Sequence, residues 1–134
     1  MQAMNHGGAA GTSFGRVKLT AAVHSSSMPD GSHGGNPRGF VVQSDDGNFY
    51  YSGDTALTSD MKLIGEKTDL RFAVLPIGDF YTMGIDDALL AADLVGVTRI
   101  VGVHYDTSLK SAKQSRCRHH ETKNQINPKT EDNR

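Results

Sequence analysis

The sequence has no tryptophan, one cysteine, four prolines and no long apolar run in its 134 residues. The single cysteine, Cys117, excludes an internal disulfide framework and fits a reducing compartment. No apolar stretch approaches the roughly 18 residues that a membrane span requires. The N-terminal MQAMNHGGAAG lacks the charged and apolar regions of a signal peptide. These absences predict a soluble, cytoplasmic protein without a membrane partner.

Charge divides the chain near residue 107. Residues 1–107 contain 7 Lys and Arg against 12 Asp and Glu, whereas residues 108–134 contain 7 against 3. The apolar residues of the second segment are too few for a core: Leu109, Ala112, Cys117 and Ile126. The sequence therefore predicts one domain over residues 1–107 and a polar, basic, disordered tail over residues 108–134.

Apolar patterns predict a domain of mixed strands and helices. Strands are expected over 16–24, 39–44, 48–52, 71–77 and 99–103, and helices over 56–65 and 82–95. Residues 1–15 have no helical or strand period. Gly65 is expected to end the first helix, whereas Thr82 and Gly96 are the expected caps of the second.

Three of the predicted strands end in side chains that can bind a divalent cation. His24 ends the first strand, Asp54 follows the hairpin strand in Ser-Gly-Asp-Thr, and His104 follows the last strand. Open α/β sheets bind ligands at the carboxyl edge, so these side chains can share one site. Imidazole and carboxylate groups bind zinc and similar ions. From spacing alone, a solvated polar residue at a strand end is the better explanation of each of them, because no local motif such as HExxH is present.

Longer phrases of the sequence resemble one family. The phrases run in order as MNHGG (4–8), VHSSSMPDG (23–31), GGNPRGF (34–40), YSGDTALTSDMKLIG (51–65), LPIGDFYTMG (75–84), DDALLAADLVGV (86–97) and HYDT (104–107). Together they are similar to the C-terminal part of a small bacterial branch of metal-dependent hydrolases with the metallo-β-lactamase fold. The resemblance implies an αββα sandwich that binds one or two divalent metal ions, with zinc expected, at one edge of its sheets.

The resemblance also implies roles for individual residues. His24 matches a histidine that follows the family's first ligand cluster, Asp54 matches the carboxylate that can bridge two metals, and His104 matches the last ligand histidine. The implied reaction is hydrolysis of a small-molecule substrate. Metal-bound water, with its pKa lowered toward ~7, would attack an ester, amide, lactone or phosphoester centre. Asp79 matches a position that can orient a ligand histidine, although a turn carboxylate accounts for it equally well.

The sequence departs from the family pattern in two places. The family's first ligand cluster, H-x-H-x-D-H, has no counterpart, and the pattern stops at Ser108. We therefore expect a partial sandwich that lacks its N-terminal part, as a truncated or frameshifted gene would give. Its metal shell would be short of ligands and its turnover impaired. Its exposed sheet face would favour poor solubility, a partner or an oligomer.

Two alternatives to an active hydrolase stay open. One is an inactive remnant that folds poorly. The other is a weak nucleic-acid binder, in which Lys110, Lys113 and Arg116 of the basic tail would contact phosphates. The tail has no aromatic residue for base stacking, which favours a solvated tail over a nucleic-acid contact.

Overall fold

A single mixed sheet with two helices forms the described part of the chain. The structure is a computed structural model, and it describes residues 3–106. The elements in chain order are β1 (Ala9–Thr12), β2 (Gly15–Ala21), β3 (Arg38–Gln43), β4 (Phe49–Tyr51), α1 (Met61–Lys67), β5 (Phe72–Pro76), α2 (Ile85–Val95) and β6 (Ile100–Val103). The predicted tail, residues 108–134, lies outside the described residues.

The strands lie side by side in chain order, and the pairing changes direction at β4. The pairs from β1 to β4 are antiparallel, whereas β4, β5 and β6 are parallel. Each parallel pair is joined by a connection that contains one helix, as parallel strands require. The carboxyl ends of β4, β5 and β6 therefore meet at one edge of the sheet.

Both helices pack on the same face of this sheet. The buried cluster joins Val41, Tyr50, Ala73 and Leu75 of the strands to helix residues such as Val95. Tyr50 is 1% exposed, and burial raises the pKa of its phenol to about 12. The α2 contribution consists mainly of alanines, which allow the helix to lie close to the sheet.

The other face of the sheet is covered by neither helix, and we call it the open face. Side chains alternate along a strand, so the neighbours of the buried core residues point to this side. Phe49 and Phe72 stack there with ring centroids 5.0 Å apart, and Val101 is 47% exposed. The open face comprises Phe40, Val42, Phe49, Tyr51, Phe72, Val74, Val101 and Val103.

The first part of the sheet differs from the sequence prediction. Residues 9–12 form β1, although the sequence there has no strand period, because their backbone pairs with β2 in a ladder that needs no apolar side chains. The ladder of β2 with β3 ends at Ala21, opposite Arg38. The prediction that His24 ends this strand is therefore wrong, since His24 lies three residues beyond it.

The helix ends also differ from prediction in part. α1 begins at Met61 rather than near residue 56, and Gly65 lies inside it. A β-carbon on Gly65 would lie 2.7 Å from the carbonyl carbon of Val95, so this glycine allows α1 to approach α2. Gly84 rather than Thr82 precedes α2, but Gly96 is the C-cap as predicted, with φ 73°. None of the helices in residues 3–106 is long and apolar enough to cross a bilayer.

Candidate metal centre

The parallel strands β4, β5 and β6 are each followed by a residue with left-handed backbone. Gly53 has φ 66°, Asp79 has φ 69° and His104 has φ 54°. Residues other than glycine seldom adopt this conformation, and such strain is concentrated at functional sites. The unusual backbone therefore marks the same sheet edge that the polar residues indicate.

Asp54 and His104 meet at this edge. The Oδ2 atom of Asp54 lies 3.6 Å from Nε2 of His104. This spacing is too long for a good hydrogen bond. It is close to the separation of roughly 3.4 Å that two ligands have when each lies about 2.0–2.1 Å from one tetrahedral zinc ion. The spacing of the two atoms is therefore compatible with a shared cation.

The two ring nitrogens of His104 have different surroundings. Its Nδ1 atom is buried and has no hydrogen-bond partner among the described residues. Gly78 lies directly against His104, since a β-carbon there would overlap the His104 carbonyl oxygen and lie 3.3 Å from Nδ1. Only Nε2 is directed toward Asp54. The predicted role of Asp79 in orienting a histidine stays a prediction, because it makes no hydrogen bond to this Nδ1.

The segment before His24 is fixed to the segment after Asp54. The Val23 N–H donates to Oγ1 of Thr55 over 2.9 Å, and the Ala56 N–H donates to the Val23 carbonyl over 3.0 Å. His24 Nδ1 lies 2.7 Å from the Ser25 carbonyl oxygen. Because a carbonyl only accepts, Nδ1 carries the proton in this contact and Nε2 keeps its lone pair for a ligand.

The three predicted ligands are only partly assembled. Asp54 and His104 are in contact, whereas residues 3–106 contain no group of three or more His, Cys, Asp or Glu side chains arranged to hold a metal. The hydrogen bonds of the preceding residue, Val23, keep His24 near the strand end that carries Asp54. The His24 side chain does not, however, complete a three-ligand group with Asp54 and His104. Its assignment as a ligand stays a prediction.

The other described histidines each contact a backbone group, His6 between two segments far apart in sequence and His33 within its own loop. His6 Nε2 lies 2.9 Å from the Pro37 carbonyl, and His33 Nδ1 accepts the Gly35 N–H over 3.0 Å. Nearby, Asp30 accepts hydrogen bonds from the side chain and backbone of Ser32, which lower the pKa of this exposed carboxyl. The loop over residues 25–37 is thus built on local bonds, and its histidine serves the loop itself.

Two features of the site were missed by the sequence reasoning. Thr55 is 1% exposed and links several loops, and its only sequence signal is its place after Asp54 in Ser-Gly-Asp-Thr. Aromatic side chains also lie beside the predicted ligands, where Tyr105 follows His104 and is 49% exposed. Phe80 and Tyr81 follow Asp79 and make an edge-to-face contact with centroids 4.6 Å apart. Their exposure could only be known from the fold.

Comparison with known proteins gives consistent matches. Residues 1–105 match the family model described as a β-lactamase superfamily domain. A metal-dependent hydrolase of Christiangramia forsetii is 57% identical over 104 residues, which cover 78% of this chain and 46% of that protein. The chain thus spans about half the length of the curated relatives it matches.

Solved structures agree on the fold. A metallo hydrolase of the archaeon Ignicoccus hospitalis aligns with a TM-score of 0.67 at 32% identity, covering 87% of this chain and 53% of that one. A Thermotoga maritima protein of the metallo-β-lactamase superfamily aligns with a TM-score of 0.58 at 22% identity, covering 79% of this chain and 50% of that one. These matches confirm the resemblance drawn from the sequence phrases and the fold class that it implied.

Proposed function

The chain belongs to the β-lactamase superfamily domain family, and from this premise we propose that it forms the part of a metal-dependent hydrolase that carries Asp54 and His104. The observation that supports this most directly is the 3.6 Å separation of Asp54 Oδ2 and His104 Nε2 at the carboxyl edge of the parallel strands. The 57% identity to a relative named a metal-dependent hydrolase agrees with it. The substrate would be a small molecule with an ester, amide, lactone or phosphoester bond.

In this proposal the chain's residues bind and orient a divalent cation. His104 presents Nε2, which lies 3.6 Å from Oδ2 of Asp54, whereas its Nδ1 is buried. Asp54 presents a carboxylate that is 44% exposed and thus accessible to a cation and a substrate. His24 would add a third donor through Nε2 after a movement of its side chain. Nitrogen and oxygen donors of this kind suit zinc.

A bound cation of this kind lowers the pKa of a coordinated water toward ~7 and polarises the scissile group. Asp54 is the proposed catalytic residue, because its carboxylate is more exposed than the His104 imidazole, at 44% against 27%. Catalytic zinc sites use three protein ligands and keep one position open. Because Asp54 and His104 are in contact but residues 3–106 hold no assembled group of three such ligands, the shell is incomplete and we expect slow turnover from the chain alone.

The test is zinc binding by the purified 134-residue chain, measured by metal analysis and by competition titration with a chromophoric chelator. Loss of a residue that only supports a ligand lowers metal affinity by roughly 10- to 100-fold. His104→Ala and Asp54→Ala each remove a ligand itself, so each should lower zinc affinity by more than this. His24→Ala should weaken it as well. Circular dichroism of each variant establishes that the fold is kept.

His33→Ala is the matched control, because Nδ1 of His33 accepts the Gly35 N–H within its own loop. It should leave zinc affinity unchanged. A folded chain that binds no zinc, or one whose affinity is the same in His104→Ala and Asp54→Ala as in the parent, would remove the metal site from this chain.

A further inference from the structure

Thr55 is a buried polar residue at the point where the proposed ligand segments meet. It is 1% exposed, directly follows Asp54, and precedes α1 by six residues. Burying a hydroxyl is costly unless it is hydrogen-bonded. Its bonds therefore indicate what keeps it in this position.

The Thr55 hydroxyl is bonded as both acceptor and donor. Its Oγ1 accepts the N–H of Val23 over 2.9 Å and donates to the Ala56 carbonyl over 2.8 Å. The Ala56 N–H in turn donates to the Val23 carbonyl over 3.0 Å. Both backbone groups of Val23 are thus held by residues 55 and 56, although 32 positions separate Val23 from Thr55.

The backbone of Thr55 connects a third segment. Its carbonyl accepts the N–H of Met83 over 3.2 Å, and the Met83 carbonyl accepts the N–H of Asp79 over 3.1 Å. Thr55 therefore contacts the segment before His24 through its side chain and the loop after β5 through its backbone. Only the first of these connections depends on the hydroxyl, so a side-chain substitution can remove it selectively.

This connection replaces the strand that the sequence predicted. β2 leaves the ladder after Ala21, so the ladder with β3 does not fix residues 23 and 24. The Ala22 N–H has only a 3.3 Å bond to the Pro37 carbonyl. The position of His24 relative to Asp54 therefore depends mainly on Val23 and its two partners.

We propose that Thr55 is a positioning residue whose hydroxyl holds the Val23–His24 segment against the strand end that carries Asp54. The proposal rests on the proposed function, because it assigns His24 to the same metal shell. Thr55 itself binds no metal in it. The hydroxyl acts only through the position of His24.

Three substitutions at Thr55 separate the hydroxyl from the shape of the side chain. Thr55→Val keeps the size and removes the hydrogen bonds, and Thr55→Ser keeps the hydroxyl. If the valine variant does not fold, Thr55→Cys, whose thiol is a weaker donor and acceptor than the hydroxyl, gives a smaller effect in the same direction. Thr12→Val is the control, since Thr12 Oγ1 bonds the Gly15 carbonyl in the β1–β2 hairpin, away from the site.

Amide hydrogen exchange of the metal-free chain, followed by NMR, measures the connection itself. The Val23 amide should exchange about tenfold faster in Thr55→Val, which corresponds to the loss of one buried hydrogen bond. Thr55→Ser should restore the parent rate, and Thr12→Val should leave it unchanged. Equal Val23 exchange in the parent and in Thr55→Val would overturn the proposal without reference to any metal.

Zinc titration measures the consequence for the site. Thr55→Val should weaken zinc binding about tenfold, as loss of a group that supports a ligand does. In a His24→Ala background the same substitution should have little further effect, because its action passes through His24. A full additional loss in that background would overturn the proposed route.

Different results would disprove the proposed function and the positioning role of Thr55. If His104→Ala and Asp54→Ala leave zinc binding unchanged, the metal site is wrong and Thr55 has no role in it. The Val23 exchange rates then decide whether the hydroxyl holds the segment at all. If the metal site is supported but Thr55→Val binds zinc like the parent, the metal centre stands and the positioning role falls.

Discussion

At the scale of single residues, backbone conformation and close packing set the position of the proposed ligands. His104 adopts a left-handed φ of 54°, which costs free energy for a residue with a β-carbon. This conformation directs the chain away from β6 immediately after the last ladder pair, Pro76 with Val103. The ring then reaches Asp54 rather than continuing the alternation of the strand.

Gly78 should be intolerant of substitution because of His104. Alanine at this position would overlap the His104 carbonyl oxygen, so Gly78→Ala should lower the free energy of unfolding by roughly 1–3 kcal/mol through overpacking. It should also weaken zinc binding, because His104 must shift. Gly11→Ala is the matched control, since a β-carbon on Gly11 would meet nothing within 4 Å. Urea unfolding measures both, and equal stabilities would contradict the packing.

Tyr50 should make the stability depend on pH at the alkaline end. Burial raises the pKa of Tyr50 to about 12, against about 10 in an unfolded chain. Between these values the unfolded state releases the proton while the folded state retains it, so the free energy of unfolding falls as pH rises. The fall attributable to this group is of the order of 2–3 kcal/mol.

Tyr50→Phe should reduce this alkaline loss of stability, whereas Tyr81→Phe, at a side chain that is 57% exposed, should not. Chemical unfolding of the three proteins from about pH 9 to about pH 12, which covers the interval between the unfolded-state and folded-state pKa values, tests the difference. The same slope against pH in the parent and in Tyr50→Phe would disprove the assignment.

At the scale of elements, the two helices depend on small residues where they meet each other and the sheet. Ala88, Ala91 and Ala92 of α2 are at most 4% exposed, and Gly65 of α1 lies against the backbone of Val95. These contacts explain why Gly65 lies inside a helix. Because Gly65 has no side chain, α1 can pack closely against α2, and this packing outweighs the low helix propensity of glycine.

Gly65→Ala tests this balance, because helix propensity predicts a higher free energy of unfolding and packing predicts a lower one. In a helix interior, alanine stabilises the helix by about 1 kcal/mol relative to glycine. Its β-carbon would lie 2.7 Å from the Val95 carbonyl group, and overpacking costs roughly 1–3 kcal/mol. We expect net destabilisation in thermal unfolding, with Leu63→Ala, at a side chain 54% exposed on the same helix, as control. A rise in melting temperature would show that α1 moves away from α2 without cost.

At the scale of the whole molecule, the sheet has one face covered by helices and one open face. Aromatic and aliphatic side chains lie together on the open face, including the stacked pair Phe49 and Phe72. Exposed apolar patches of this kind mark surfaces that associate with other protein layers or chains. On the described sheet, this is the face on which apolar side chains such as Tyr51 and Val101 remain exposed.

Val101→Lys should reduce self-association of the chain. Val101 is 47% exposed on β6, at the edge of the sheet, and charged residues on edge strands oppose pairing between molecules. Leu89→Lys is the control, because Leu89 is 50% exposed on α2, which packs on the covered face. Sedimentation velocity over a range of concentrations should show less association for Val101→Lys alone. Equal effects of the two substitutions would mean that the open face is not responsible.

Much of the fold could be predicted from the sequence because the parallel part of the sheet has strong local signals. The apolar run near β5 and the helical period of α2 depend on neighbours in the chain, and both elements lie where they were predicted. β1 and the end of β2 could not be predicted, since each is decided by partners far away in sequence. Thr82 is not the cap, since Gly84 precedes α2 and the intervening Met83 is bonded to Thr55, a residue far away in sequence.

The sequence by itself determined the family, the β4–α1–β5–α2–β6 order and the candidates Asp54 and His104, because motifs and periodicity are local properties. Only the tertiary structure decided that the donor atoms of this pair lie 3.6 Å apart and that His104 presents Nε2. It also decided that the segment carrying His24 is held by Thr55 rather than by a strand. These features depend on hydrogen bonds and contacts between segments far apart in the chain, which no local pattern contains.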